Sequence, residues 1–192
     1  MIRIDSKEFE KAKKELEGIS EKAIPAINIL TAKVINNAAR EAKKTVIKRI
    51  AEEYYIDKKP LKEAVSISTA KPGNLKAEVR NNRKRNKDRF TLGRFRVETP
   101  SSGPIKVAQS RSGGLIELKR AFVSEKRNQP GNVQVFRRSG PNRYPMDVER
   151  SYSVGGMIEA ENLEDGIEDV AQDYIDEKLP EMVDEYFEKD GK

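Results

Sequence analysis

The chain has 192 residues, of which 36% are apolar and another 36% charged, enough for one compact domain with a thin core and too few to presume two. It contains no cysteine and no histidine, which excludes disulfide staples, thiolate chemistry and cysteine zinc sites, and removes the usual general base near neutral pH together with the commonest metal ligand. The net charge of +6 hides a split: residues 1–70 hold 15 Lys+Arg against 11 Asp+Glu, residues 71–143 hold 19 against 5, and residues 144–192 hold 4 against 16.

The N-terminus MIRIDSKEFEK lacks the apolar stretch of a signal peptide, and apolar runs elsewhere fall far short of the roughly 20 residues of a spanning helix, so a soluble intracellular product without membrane contact is expected. Asp5 and Glu8 have the spacing of a capping box, and Phe9 and Leu16 follow at helical spacing before Gly18, which predicts a short amphipathic helix. After Pro25, Ile27, Leu30, Val34, Ala38, Ala42, Val46 and Ile50 form one stripe that continues to Tyr54. With no Gly or Pro inside it, this helix runs for about 30 residues and roughly 45 Å, and its alanines let a second helix approach closely. Beyond Pro60, LKEAVSISTA and LKAEVRNN alternate around Lys71-Pro72-Gly73-Asn74, which predicts a hairpin with a turn of four. NNRKRNKDRF is aperiodic and charged, hence a loop, whereas RFRVE, PIKVAQ, RAFVSE and NVQVFRR read as short strands. From Asn162 to Phe187 the spacing of Leu163, Ile167, Val170, Ile175, Leu179 and Val183 is helical, with Pro180 expected to kink or split the helix near Leu179. The whole is read as a single α+β domain over residues 1–192. Its helical part is 1–56, and its mainly β part, 60–160, forms an antiparallel sheet of about four to six strands. An acidic C-terminal helix, 162–188, packs against that sheet.

The carboxylate pairs Glu164-Asp165, Glu168-Asp169 and Asp176-Glu177 lie on the helix face opposite Leu163, Ile167 and Val170, where solvated residues belong. Gly113-Gly114 after Ser110-Arg111-Ser112 lacks the spacing of a phosphate-binding loop and reads as a hairpin tip. Ser139, Ser151 and Ser153 have no histidine to activate them. No acid/base set assembles, so no enzyme, cofactor or metal is expected, and with no group titrating between about pH 5 and 8, folding and self-association should vary little from pH 6 to 8. The basic loop is the stronger signal. Arg80, Arg83, Lys84, Arg85, Lys87, Arg89, Arg94 and Arg96, accompanied by Phe90 and Phe95, could track phosphates. No helix-turn-helix, zinc-finger or RNA-binding-sheet pattern surrounds them, so the reading favours a cationic surface for an acidic protein partner. A basic nucleic-acid-binding protein is the alternative, and a small hydrolase using carboxylates and a metal is a third class.

The stretch VFRRSGPNRYPM, residues 135–146, places Arg137, Arg138 and Arg143 around two prolines. Together with Ala121-Phe122 before it and Ser153-Val154 after it, its order resembles the prophage minor tail protein Z family, whose members are similar to tail completion proteins of long-tailed phages. AINILTAKVINNAAREAKKTVIKRIAEEYYI, residues 26–56, resembles that family's long first helix, and FTLGRFRV its strand after the charged loop. Where the family tends to carry Gly-Pro-Ser before the valine, this chain has Ser151-Tyr152-Ser153. The resemblance implies a non-enzymatic structural protein of the virion tail, assembled in the bacterial host cytoplasm. It would act at the head-proximal end, beside the tail terminator and the connector or neck proteins. It makes Arg137, Arg138, Arg143, Tyr144 and Pro145 expected interface residues, the alternative being that the arginines pair locally with Asp147 and Glu149. The charge split adds a homo-oligomeric ring, in which Arg83, Arg85, Arg89 and Arg94 of one copy face Glu168, Asp169 and Asp176 of the next, and leaves open a non-specific DNA contact.

Overall fold

The computed structural model describes residues 2–5, 23–82, 89–126 and 129–190. The helix expected to start at Asp5 falls on residues 6–22, outside that set, and Asp5 itself closes a strand, β1 (Ile2–Asp5). In chain order there follow α1 (Ala23–Glu53), α2 (Lys58–Ala64), β2 (Val65–Ser68), β3 (Lys76–Asn81) and β4 (Arg89–Thr91). A single 3-10 turn (Leu92–Arg94) leads to β5 (Arg96–Glu98), β6 (Ile105–Ala108), β7 (Ile116–Leu118), β8 (Ala121–Lys126) and β9 (Gln129–Arg138). The last elements are β10 (Met146–Val148), β11 (Arg150–Ser153), α3 (Val154–Ala160) and α4 (Glu164–Asp190).

The α+β class, the long N-terminal helix and the acidic C-terminal helix are as the sequence predicts. The single sheet is not. The described strands form four small antiparallel sheets, ordered β1-β3-β2, β5-β6-β7, β8-β9-β10 and β4-β11. Strands of three or four residues bury too little to extend one another, and 3-10, Gly and Pro interruptions separate them. Two further expectations need correction. Residues 61–64, read as the start of a strand, belong instead to α2, with Leu61 and Ala64 buried on one side. Of the kink or split expected at Pro180, the split does not occur: the C-terminal helix is helical from Glu164 to Asp190 with Pro180 inside it.

The chain divides into two compact units. The first comprises residues 1–46, 65–80 and 161–192. Its core is aliphatic: Val34, Ile35, Ala38, Ala39, Ala42 and Val46 of α1 are wholly buried, as is Ala77 of β3, and Ile167, Ala171, Ile175 and Leu179 form the buried stripe of α4, which packs on β1. Here the buried face of α1 is wider than the predicted stripe, since Ala32, Ile35 and Ala39 join it. β1 runs antiparallel to β3, Ile2 opposite Val79 and Asp5 opposite Lys76. The four-residue turn forms as predicted, Lys71 and Asn74 exchanging backbone bonds of 3.0 and 2.8 Å. Asn36 of α1 clamps the chain after β2, donating to the Ala70 carbonyl at 3.0 Å and accepting from its N–H at 2.7 Å. Lys43 donates to the Val65 carbonyl at 2.6 Å, and burial lowers its pKa.

The second unit comprises residues 47–64 and 81–160. Its core draws on Ile50, Tyr54 and Leu61 with Phe90, Leu92, Phe95, Val107, Val135, Val154 and Met157. The end of α1 is closed by a residue 58 positions downstream, Arg111, whose N–H bonds the Glu53 carbonyl and whose Nε bonds the Glu52 carbonyl, each at 2.8 Å. Its guanidinium also lies 4.6 Å from the centre of the Tyr55 ring. The last carbonyls of a helix have no partner within it, so this cap satisfies groups that α1 leaves open.

Candidate functional site

Charged and aromatic side chains concentrate at two places in the second unit. The first is a cleft of about 380 Å³ built on the β4-β11 pair. β11 runs antiparallel to β4 with Arg150 opposite Thr91. Alternation along β4 then places Arg89 and Thr91 on one face and buries Phe90 on the other. Lys59, Pro60 and Glu63 of α2 line the same cleft, one turn of helix apart, and Arg94 enters it from the 3-10 turn. Lys59, Arg89, Arg94 and Arg150 are all exposed. None of their side chains has an ion-pair or hydrogen-bond partner among the described residues. Arg94 is positioned by a close backbone approach: a Cβ on Gly93 would lie 2.6 Å from the Val133 carbonyl carbon of β9 and 3.0 Å from the Gln134 Cα.

The second place is the turn from β9 to β10, the stretch that attracted attention in the sequence. Met146, Asp147 and Val148 pair with Arg138, Arg137 and Phe136, and the Tyr144-Pro145 peptide within the turn is cis. Arg137 Nε meets Glu149 Oε1 at 2.8 Å, and Ser139 donates to Asp147 Oδ2 at 2.6 Å. Arg138 lies 5.3 Å from the Phe122 ring centre, and Phe122 stacks on Phe136 directly across β8 and β9, 5.8 Å between centroids. Arg143 covers Tyr144, which is 63% exposed, and Pro145 is exposed beside it. The local pairing considered for these arginines is therefore what Arg137 adopts, with Glu149 rather than Asp147 as its partner.

Of the basic-loop residues, Arg83, Lys84, Arg85 and Lys87 lie outside the described residues. Arg80 pairs with Glu78. Arg96 bonds Glu98 at 2.6 Å and lies over Tyr55, and hydrogen bonding to Tyr55, then to Glu98, raises its pKa. Only Arg89 and Arg94 of the predicted interface set share the cleft, and two residues that sequence reading missed, Lys59 and Arg150, complete it. Both stand in unremarked local contexts, Lys-Lys-Pro and Glu-Arg-Ser, and only the fold brings them to one place. The serines have structural roles: Ser151 is buried and accepts from Phe90 N–H at 3.2 Å, and Ser153 caps α3 by accepting from Gly156 N–H at 3.1 Å.

Glu168, Asp169 and Asp176 are exposed on α4, in the first unit. Asp176 accepts from Gln172 at 2.7 Å, while Glu168, Asp169 and the neighbouring Asp173 have no cationic partner among the described residues. Lys178 bonds Glu177 at 2.8 Å and Glu181 at 3.0 Å, which raises its pKa. Among the described residues there is no group of three or more acidic side chains placed to hold a metal ion, and no helix long and apolar enough to cross a membrane.

A family model for prophage minor tail protein Z (GPZ) matches residues 6–188. No curated protein and no solved structure matches the chain. The match spans nearly the whole sequence, and the chain belongs to the prophage minor tail protein Z family.

Proposed function

We propose that this tail protein is a non-enzymatic structural subunit at the head-proximal end of the virion tail. There it completes the tail beside the terminator and the connector or neck proteins, after assembly in the cytoplasm of the bacterial host. Copies of the chain form a ring, with the basic middle of one meeting the acidic helix of the next. The observation that carries this reading is the family match over residues 6–188 of a chain whose charges are segregated, 19 Lys+Arg against 5 Asp+Glu in residues 71–143 and 4 against 16 in residues 144–192. Heterologous contacts between such surfaces close into rings when the rotation permits. Charge sets register and encounter rate, while apolar burial holds the contact. The first turns of α1 supply apolar surface for this purpose, with Ile24 and Ile29 exposed by 43% and 57%. The β9-β10 turn, with Arg138, Arg143, Tyr144 and Pro145 at the surface, is the proposed contact with a different tail protein.

The test is the position of the chain in the assembled particle. Tails carrying a tagged copy should show label, by electron microscopy, as one collar at the end that joins the head. Label at the distal tip or along the tube would sink the positional reading. Purified protein should show no turnover, and an activity abolished by a single carboxylate substitution would contradict the non-enzymatic part.

A further inference from the structure

We infer that the cleft lined by Lys59, Arg89, Arg94 and Arg150 seats the acidic stripe Asp169, Asp173 and Asp176 of the C-terminal helix of a second copy. This rests on the reading that copies associate, and it goes further in naming the two surfaces. Four cations from four elements converge on one cleft of about 380 Å³ without a partner among the described residues. Such convergence costs folding energy through mutual repulsion and is retained where an anion is to be received. The occupant follows from three features. A nucleic-acid backbone presents about one charge per 1.7 Å of duplex and is met by cations laid out along a track. Here the cations line a half-open cleft of which Glu63 is also a lining residue, an arrangement that suits a few discrete carboxylates between the arginines better than a continuous run of phosphates. The matching anion is present in every copy: α4 holds twelve acidic residues against two lysines. Asp169, Asp173 and Asp176 are spaced i, i+4, i+7, so they share one exposed helical face, and Arg forks bind carboxylates in two-point fashion.

The chain's lack of cysteine allows a direct test on the full-length protein. Arg150→Cys is prepared in one population and Asp173→Cys in another, and the two are mixed and treated with a short bifunctional thiol reagent, so that any mixed product joins two different copies. The expected result is a mixed dimer well above the yield with Ile116→Cys in place of Arg150→Cys, and suppressed by salt. In sedimentation, Arg94→Glu with Arg150→Glu should weaken self-association roughly tenfold or more, and Asp169→Lys with Asp173→Lys mixed in as the partner should restore most of it. If copies associate but neither the mixed product nor the charge-swap rescue appears, the cleft assignment is overturned and the ring reading stands. If the protein stays monomeric at every accessible concentration, the ring reading fails and this inference with it. Stoichiometric duplex DNA binding that is lost in the Arg94→Glu, Arg150→Glu protein would reassign the cleft to phosphates.

Discussion

The β9-β10 turn and the β4-β11 cleft both carry arginines, yet they differ in what those arginines already touch. In the turn, Arg137 bonds Glu149, Arg138 covers Phe122, and Arg143 covers Tyr144. In the cleft, Lys59, Arg89, Arg94 and Arg150 have no such partners among the described residues. Composition made the turn the more conspicuous of the two, with its three arginines and two prolines in twelve residues. Geometry shows that a dense cationic motif can be largely satisfied within its own strands, while an unsatisfied one is assembled from residues 59 to 150 that no window of sequence contains. The distinction predicts opposite behaviour on mutation: arginines in the turn should contribute to stability, and arginines in the cleft should oppose it and act in association.

The largest effect should come from Gly93, where the two regions share backbone. Its missing side chain lets the 3-10 turn that carries Arg94 approach β9, the strand that carries Arg137. Gly93→Ala places a Cβ inside contact distance of the Val133 carbonyl, so strand or turn must move, at an expected loss of about 3 kcal/mol or more in chemical denaturation. A well-folded Gly93→Ala protein of unchanged midpoint would show that the two regions are not held to each other in this way.

The Phe122 site tests whether the turn has a core of its own. The stacked Phe122-Phe136 pair is half-buried, so Phe122→Ala should cost about 2 kcal/mol, below the 3–5 typical of a fully buried aromatic. Urea titration gives the value, and a loss under about 0.5 kcal/mol would make β8 and β9 a scaffold for display rather than a packed ribbon.

How much of this was legible follows from how far each feature reaches along the chain. α1 was read nearly to its ends because Ile27 through Ile50 repeat without interruption and helix formation is local. The Lys71–Asn74 turn was legible for the same reason. The sheet count was not: each short strand has a local signature, but which strands pair is decided by contacts such as Arg150 with Thr91, 59 residues apart. α2 was missed because Leu61, Val65 and Ile67, all of one parity, also fit a period-two alternation into β2. Of the site, Arg89 and Arg94 were found through local charge, whereas Lys59 and Arg150, isolated in sequence, became visible only in the fold.

A smaller effect is expected at Arg137. Its side chain is 47% exposed and that of Glu149 21%, so the ion pair is partly screened. Arg137→Ala should therefore cost about 0.5–1 kcal/mol at physiological salt, measured by denaturation, and a double-mutant cycle with Glu149→Ala should return most of that as coupling. Additivity of the two single changes would move Arg137 into the same class as the cleft arginines and erase the contrast.

The smallest effect, and the one that separates the regions most cleanly, is a change of sign at Arg150. Removing a satisfied cation loses an attraction, whereas removing one of four converging cations relieves repulsion. Because these side chains are exposed, the gain in isolated protein is only a few tenths of a kcal/mol at low salt. With a Debye length of about 10 Å at 0.1 M and about 3 Å at 1 M, repulsion across the cleft should fade in high salt, and the gain with it. Melting of Arg150→Ala should thus lie slightly above the parent in dilute buffer and coincide with it in 1 M salt, at a concentration where both are monomeric, while its self-association is weaker than the parent's in dilute buffer. A lower melting temperature in dilute buffer would mean that Arg150 already has an attractive partner within its own chain, and the cleft would then be a structural feature like the turn rather than a waiting contact.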